Sequence, residues 1–168
     1  GQCFIWHPAP VGYVLHPKNR RGYAHLATRL KGLSILEAGC GIGCGAAMLS
    51  LQNAVIATDK EARSVAFARQ LYPWLRCAIW DVAVTPYVQQ ADIVVAVEVI
   101  EHIGAYADAM QHLLESATQA VWFSTPNRRN PNMGQERPKN QFHVREFFPE
   151  EVCDLAAPYR VTAYDWDT

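Results

Sequence analysis

Ser34-Ile35-Leu36-Glu37-Ala38-Gly39-Cys40-Gly41-Ile42-Gly43 decides how the rest of this chain is read. The apolar stretch Leu33 to Glu37 reads as a strand, and it runs straight into three glycines. Glycine lets a backbone turn tightly and lets a ligand approach with no side chain in the way. Glu37 sets a carboxylate just ahead of the first glycine. A carboxylate there repels a pyrophosphate and attracts a cationic group. Gly41-x-Gly43-x-x-Ala46 also fits the glycine pattern of a dinucleotide site. The charge of Glu37 argues against that alternative and for a phosphate-free ligand carrying positive charge. A glycine turn with no ligand is the third alternative.

Working outward, the chain alternates. Asn19 to Lys31 carries Tyr23, Ala24, Leu26, Ala27 and Leu30 on one helical face, and Gly32 follows as a stop. Beyond the glycines, the spacing predicts helices over Cys44–Leu51, Glu61–Leu71, Tyr106–Ala117 and Arg145–Ala157. It predicts strands over Ala54–Thr58, Leu75–Trp80, Ala91–Val97, Ala120–Ser124 and Tyr159–Tyr164. Ile93, Val94, Val95 and Val97 form the nearly continuous apolar run of a strand covered on both faces. Pro126 to Gln141 reads as a loop. Such alternation predicts an α/β, doubly wound, mostly parallel, Rossmann-like sheet of six or seven strands with helices on both faces. One domain over residues 1–168 is expected, with an N-terminal segment and helix over 1–32 and the core over 33–168.

The composition is that of an ordinary globular protein, with 50% hydrophobic and 18% charged residues. A net charge of -1 excludes a global basic field of the kind that grips nucleic acid non-specifically. No run of about 18 apolar residues is present, so no membrane partner is expected. Gly1 to Pro10 lacks the charged and apolar regions of a secretory signal. Cys3, Cys40, Cys44, Cys77 and Cys153 are odd in number and include no Cys-x-x-Cys pair, which suits reduced thiols in a cytoplasmic protein.

Further polar residues gather where parallel sheets bind ligands, beyond the carboxyl ends of strands. Asp59 ends the second predicted strand, where a carboxylate holds both hydroxyls of a ribose or caps the next helix. Asp81 follows the third strand, and Trp80 beside it reads as core or as an adenine neighbour. Glu98-Val99-Ile100-Glu101-His102 follows the fourth strand, and a helical turn there puts all three polar side chains on one face. His143 follows the loop after the fifth strand. Two carboxylates and two imidazoles suit a divalent metal such as Mg, Mn, Fe or Zn. Without metal, Glu101 and His102 form a pair that shapes the pocket, or His102 or His143 serves as general base to a hydroxyl. Lys18, Arg20, Arg21, Arg29 and Lys31 form one basic cluster; Arg128, Arg129, Arg137, Lys139 and Arg145 form another. They favour an anionic substrate, or they are simply a solvated charged surface.

The segment Glu37 to Gly43 resembles motif I of the class I S-adenosylmethionine (SAM) methyltransferases, acid-x-Gly-x-Gly-x-Gly. The resemblance runs in register from about Tyr23 to Trp166. It implies SAM as cofactor, a ligand with an ammonium and a sulfonium and no phosphate. It implies that SAM lies along Glu37, Gly39, Cys40, Gly41, Gly43, Asp59, Lys60, Asp81, Val82 and Glu98, with Asp59 on the ribose and Asp81 against the adenine amino group. Glu98 to His102 together with His143 is similar to the metal-dependent small-RNA 2′-O-methyltransferases, and the first of these segments also to ubiquinone-pathway O-methyltransferases. That likeness implies Glu98, Glu101, His102 and His143 as metal ligands. Pro126-Asn127-Arg128 and His143-Val144-Arg145-Glu146-Phe147 resemble a broad bacterial group of small-molecule or glycan methyltransferases. The implied activity is O-methylation of a small-molecule, sugar or nucleotide hydroxyl, with Glu101, His102 and His143 at the chemistry. The alternatives are a metal-dependent RNA 2′-O-methyltransferase and a catalytically silent SAM-binding domain. The family's sheet has seven strands, the last antiparallel; the reading here reaches six.

Overall fold

β4, Ala91–Val97, is the spine of the computed structural model. Ile93 and Val95 point to one face and Val94 and Ala96 to the other, all buried, as the period of two in a strand requires. The structure describes residues 17–130, 138, 140–157 and 159. Along the chain come α1 (Pro17–Arg29), β1 (Ser34–Ala38), α2 (Cys44–Leu49), β2 (Ala54–Asp59), α3 (Ala62–Leu71) and β3 (Arg76–Ile79). After β4 come a single 3-10 turn (Ile100–His102), α4 (Tyr106–Glu115), β5 (Ala117–Ser124) and α5 (Pro149–Leu155).

Five strands among the described residues form one parallel sheet in the order β3-β2-β1-β4-β5. The winding reverses between β1 and β4, which pair from Ile35 with Ile93 to Ala38 with Ala96. This opens a crevice beyond their carboxyl ends, where such sheets hold ligands. One apolar layer joins Tyr23 and Leu26 of α1 and Leu49 of α2 to Ile35, Val55, Ile93 and Val95. The other joins Ala109, Met110 and Leu113 of α4, together with Phe147, to Leu36, Val94 and Ala96. Helices thus cover both faces of a Rossmann-like sheet. No helix among the described residues is long and apolar enough to cross a membrane.

The largest departures from the sequence expectation lie around β5 and α5. α4 stops at Glu115 and β5 starts at Ala117, three residues before the expected Ala120, with a register irregularity opposite Ala91 and Ile93. α5 starts at Pro149 rather than Arg145, because the residue before a proline is pushed out of the helical region and proline itself suits the first helical turn. The Phe148 N–H there donates to Glu151 Oε2 at 2.8 Å. The sixth expected strand, Tyr159–Tyr164, falls outside the described residues except for Tyr159.

Candidate functional site

The loop from β1 to α2 takes a path that only glycine follows freely: Gly39, Gly41 and Gly43 have φ of 67°, 54° and 83°. A Cβ on Gly39 would lie 2.7 Å from Val99 Cγ2, so the loop packs against the segment leaving β4. A Cβ on Gly41 would meet nothing within 4 Å, so this part of the loop faces open space. Asp59 at the end of β2 ties the loop down. Its Oδ2 accepts from the Gly41 N–H at 2.9 Å, and its Oδ1 accepts from the Glu61 N–H at 2.8 Å ahead of α3. Each oxygen keeps a second lone pair.

Glu37 lies beneath the loop and is wholly buried. Tyr23 of α1 donates its hydroxyl proton to Oε1, while Oε2 has no hydrogen-bond partner. Burial pushes the carboxyl up to about 7; the Tyr23 hydrogen bond and the Ala46 N–H oppose the shift, and the Asp59 charge adds to it. Burial and the Glu37 charge hold the Tyr23 hydroxyl well above its usual range. Gly45 makes the docking of Tyr23 possible, since a Cβ there would stand 2.0 Å from Tyr23 Cζ. Sequence reasoning read Tyr23 only as part of an apolar helix face and missed this bond. The Cys40 thiol is buried and raised chiefly by that burial.

The remaining expected cofactor residues line the carboxyl ends of β2 and β3. Lys60 is exposed. Asp81 is half-buried, with Oδ1 accepting from the Ala83 N–H at 3.0 Å. Val82 is buried, and its carbonyl accepts from His112 Nδ1 at 2.7 Å. Trp80 is buried, gives its indole N–H to the Thr85 carbonyl at 2.8 Å and packs edge-on against Tyr87.

Beyond β4 the chain bends sharply. Glu98 has φ of 56°, a left-handed conformation that costs about 1 kcal/mol or more for a residue with a side chain. Its N–H and side chain both bond Ser124 at the end of β5, at 3.0 and 2.8 Å. The 3-10 turn Ile100–His102 follows this bend directly. Glu101, His102 and His143 then present ligand atoms that all lie within 4.8 Å of one another. Glu98, expected as a ligand beside Glu101 and His102, is not part of this group, whereas His143, the expected fourth, is. His102 gives its Nδ1 proton to the Phe142 carbonyl at 2.8 Å, which leaves the lone pair on Nε2. The two imidazoles meet edge to face with centroids 4.8 Å apart.

Glu101 is wholly buried, with neither carboxyl oxygen hydrogen-bonded. Burial, then the charge of Glu98, pushes it up to about 8, with Glu146 adding a smaller push. Its carbonyl accepts from the N–H groups of Val144 and Arg145 at 2.7 and 3.2 Å, which staples the segment carrying His143 onto the turn. Glu146, a residue that sequence reasoning did not place in the site, accepts from His143 Nδ1 at 3.1 Å. Its signal is the spacing of three from His143.

The second basic cluster is largely occupied. Arg129 pairs with Glu150; Arg145 bonds Glu151 and the Tyr106 hydroxyl and lies over the rings of Tyr106 and Phe147. Arg128 lies over the ring of Phe148. Arg137 and Lys139 fall outside the described residues. Arg20, Arg21, Arg29 and Lys31 are exposed on and after α1.

Residues 36–120 match the family described as methyltransferase domain. Probable S-adenosylmethionine-dependent methyltransferases of Mycobacterium tuberculosis are 34% identical over 137 residues, covering 79% of this chain and 50% of theirs. One from Mycolicibacterium smegmatis is 34% identical over 137 residues, covering 79% and 53%. The chain thus spans about half the length of these relatives. Among solved structures, the YcgJ protein of Bacillus subtilis matches with a TM-score of 0.70 at 16% identity, over 81% of this chain and 66% of its own. Magnesium protoporphyrin IX methyltransferase of Synechocystis matches at 0.66 and 15%, over 82% and 71%. A small RNA methyltransferase matches at 0.69 and 16%, over 90% and 22%. At such identities these structures speak to the fold.

Proposed function

Since the chain belongs to the class I SAM-dependent methyltransferase family, we propose that it moves a methyl group from SAM to a hydroxyl of a small molecule, sugar or nucleotide. The observation that carries the hydroxyl reading is the group of Glu101, His102 and His143, on the turn after β4 and on the segment stapled to that turn. An imidazole whose Nε2 carries a lone pair can take a hydroxyl proton as general base. His102, its Nδ1 engaged by the Phe142 carbonyl, supplies such an Nε2; His143 supplies a second once the Asn140 amide at its Nε2 gives way, and Glu101 stands against both.

SAM, when bound, supplies a methyl group on a positively charged sulfur. The loop Gly39 to Gly43, including Cys40, gives its backbone to the cofactor, and the open face at Gly41 leaves room for it. Asp59 offers its remaining lone pairs to the ribose, and Asp81 its second oxygen to the adenine amino group. Lys60, Val82 and Glu98 border the same ligand. Glu37 acts from below the loop, by fixing Tyr23 and the helix that carries it. Much of the rate comes from holding sulfonium and acceptor in line.

A second reading follows from the same donor atoms. Glu101, His102 and His143 suit a divalent ion such as Mg, Mn, Fe or Zn, which lowers the pKa of an acceptor hydroxyl, an RNA 2′-hydroxyl included. Purified protein with labelled SAM and a cell extract as acceptor source tests both. Labelled product and S-adenosylhomocysteine, persisting under chelator, support the imidazole reading. Loss under chelator and recovery with Mn, Co or Mg support the metal. SAM binding with no turnover on any extract marks a silent SAM-binding domain and overturns both.

A further inference from the structure

Glu146 has no part in the chemistry above, yet it is only 3% exposed and one of its carboxyl oxygens has no partner. The other, Oε1, stands 3.1 Å from His143 Nδ1. On the far side of the same ring, Asn140 Nδ2 stands 2.9 Å from Nε2. The orientation of that amide is fixed by a third contact, since Asn140 Oδ1 accepts from the Phe142 N–H at 3.0 Å. An amide nitrogen only donates, so Nε2 of His143 holds the lone pair, and Nδ1 then holds the proton that faces Glu146 Oε1. Two partners on opposite edges of the ring demand one tautomer. The backbone beneath it is pinned by the Val144 and Arg145 N–H groups on the Glu101 carbonyl, and Phe147 is buried in the core next to Glu146.

We infer that Glu146 is a positioning residue, which through Nδ1 holds His143 in the tautomer and orientation that turn Nε2 toward an acceptor hydroxyl. Asn140 is exposed and fills that lone pair with its own N–H until a hydroxyl takes its place. The inference rests on the role proposed for His143. A carboxylate behind a working imidazole is a recurrent device; behind metal-bound imidazoles its loss costs about 10–100-fold in activity, and the same order is expected here.

Nitrogen-15 spectra of the histidine rings in the free wild-type protein test the tautomer directly. His143 should show a protonated Nδ1 and a bare Nε2; a protonated Nε2 overturns the inference, and no variant is needed to see it. In Glu146→Leu the His143 signals should move to a mixture of tautomers. Release of S-adenosylhomocysteine on a cell extract should fall by about 10–100-fold with the KM for SAM unchanged. Glu146→Asp should recover part of the loss. A leucine variant with wild-type rate or wild-type ring signals overturns the inference. His143→Ala separates the two ideas: full turnover in that variant sinks the role of His143 itself, whatever tautomer the spectra report.

Discussion

Glu37 carries its carboxyl beneath the glycine loop with one oxygen taken by Tyr23 and the other bare. Its pKa lies at about 7 in the folded chain against 4.5 for the free group, so the folded state holds this proton more tightly than the unfolded one. That contribution is complete below the unfolded value and is lost as pH rises through the folded one. Between those pH limits, stability should fall by roughly 3 kcal/mol from this residue alone. Glu37→Gln keeps an acceptor for Tyr23 and cannot ionise, so its advantage over wild type should grow between pH 5 and pH 8. Urea denaturation at the two pH values checks this; parallel losses in both proteins would mean that Glu37 is not the source. The glycines were legible in the sequence because few other residues adopt their φ angles. The Tyr23 bond was not, because its partner lies 14 residues away and meets it only once α1 packs on the sheet. Glu146 was hidden for a similar reason: its spacing from His143 is visible, but its burial is decided by the core around Phe147.

At the level of elements, α1 docks on α2 through one ring set into the place where Gly45 lacks a side chain. Gly45→Ala should therefore force Tyr23 out of its position. Overpacking of this kind costs about 1–3 kcal/mol, and the displaced α1 should become more open to proteolysis near residues 17–29. A variant that melts like wild type and resists protease equally would show that α1 and α2 have room to separate without loss. Helix and strand types were readable from periodicity, since apolar runs and helical faces have different repeats. Boundaries were less so. The helical pattern of residues 145–157 continues back past Phe148, and only the Phe148-Pro149 step stops the helix from following it. The turn after β4 was expected as helical, with Glu98 facing its neighbours. The left-handed Glu98 instead sends that side chain to Ser124, outside the group formed by Glu101, His102 and His143.

For the molecule as a whole, a ligand that binds only the folded state raises its stability by mass action. SAM at about 100 times its Kd should add about 2.7 kcal/mol, and each kcal/mol moves the Tm of a domain this size by about 2–4 °C. The shift should shrink in Asp59→Ala, and NAD should give none. A larger shift with NAD than with SAM would return the glycine loop to the dinucleotide reading. The fold class was legible because strands and helices alternate along most of the chain, and only a few architectures accept that alternation. Strand order was not, since no local pattern says that β1 and β4 are neighbours. That neighbourhood has a consequence in time. Ser34 and Asp92, bonded across the two strands, are 58 residues apart in sequence. At about 5–20 residues per second on the ribosome, β1 waits roughly 3–12 s for the strand that completes its pairing. Throughout that interval one edge of the central strand is unpaired. During synthesis, then, the glycine loop cannot serve as an early foothold for folding, because Val99, against which Gly39 packs, is still being made.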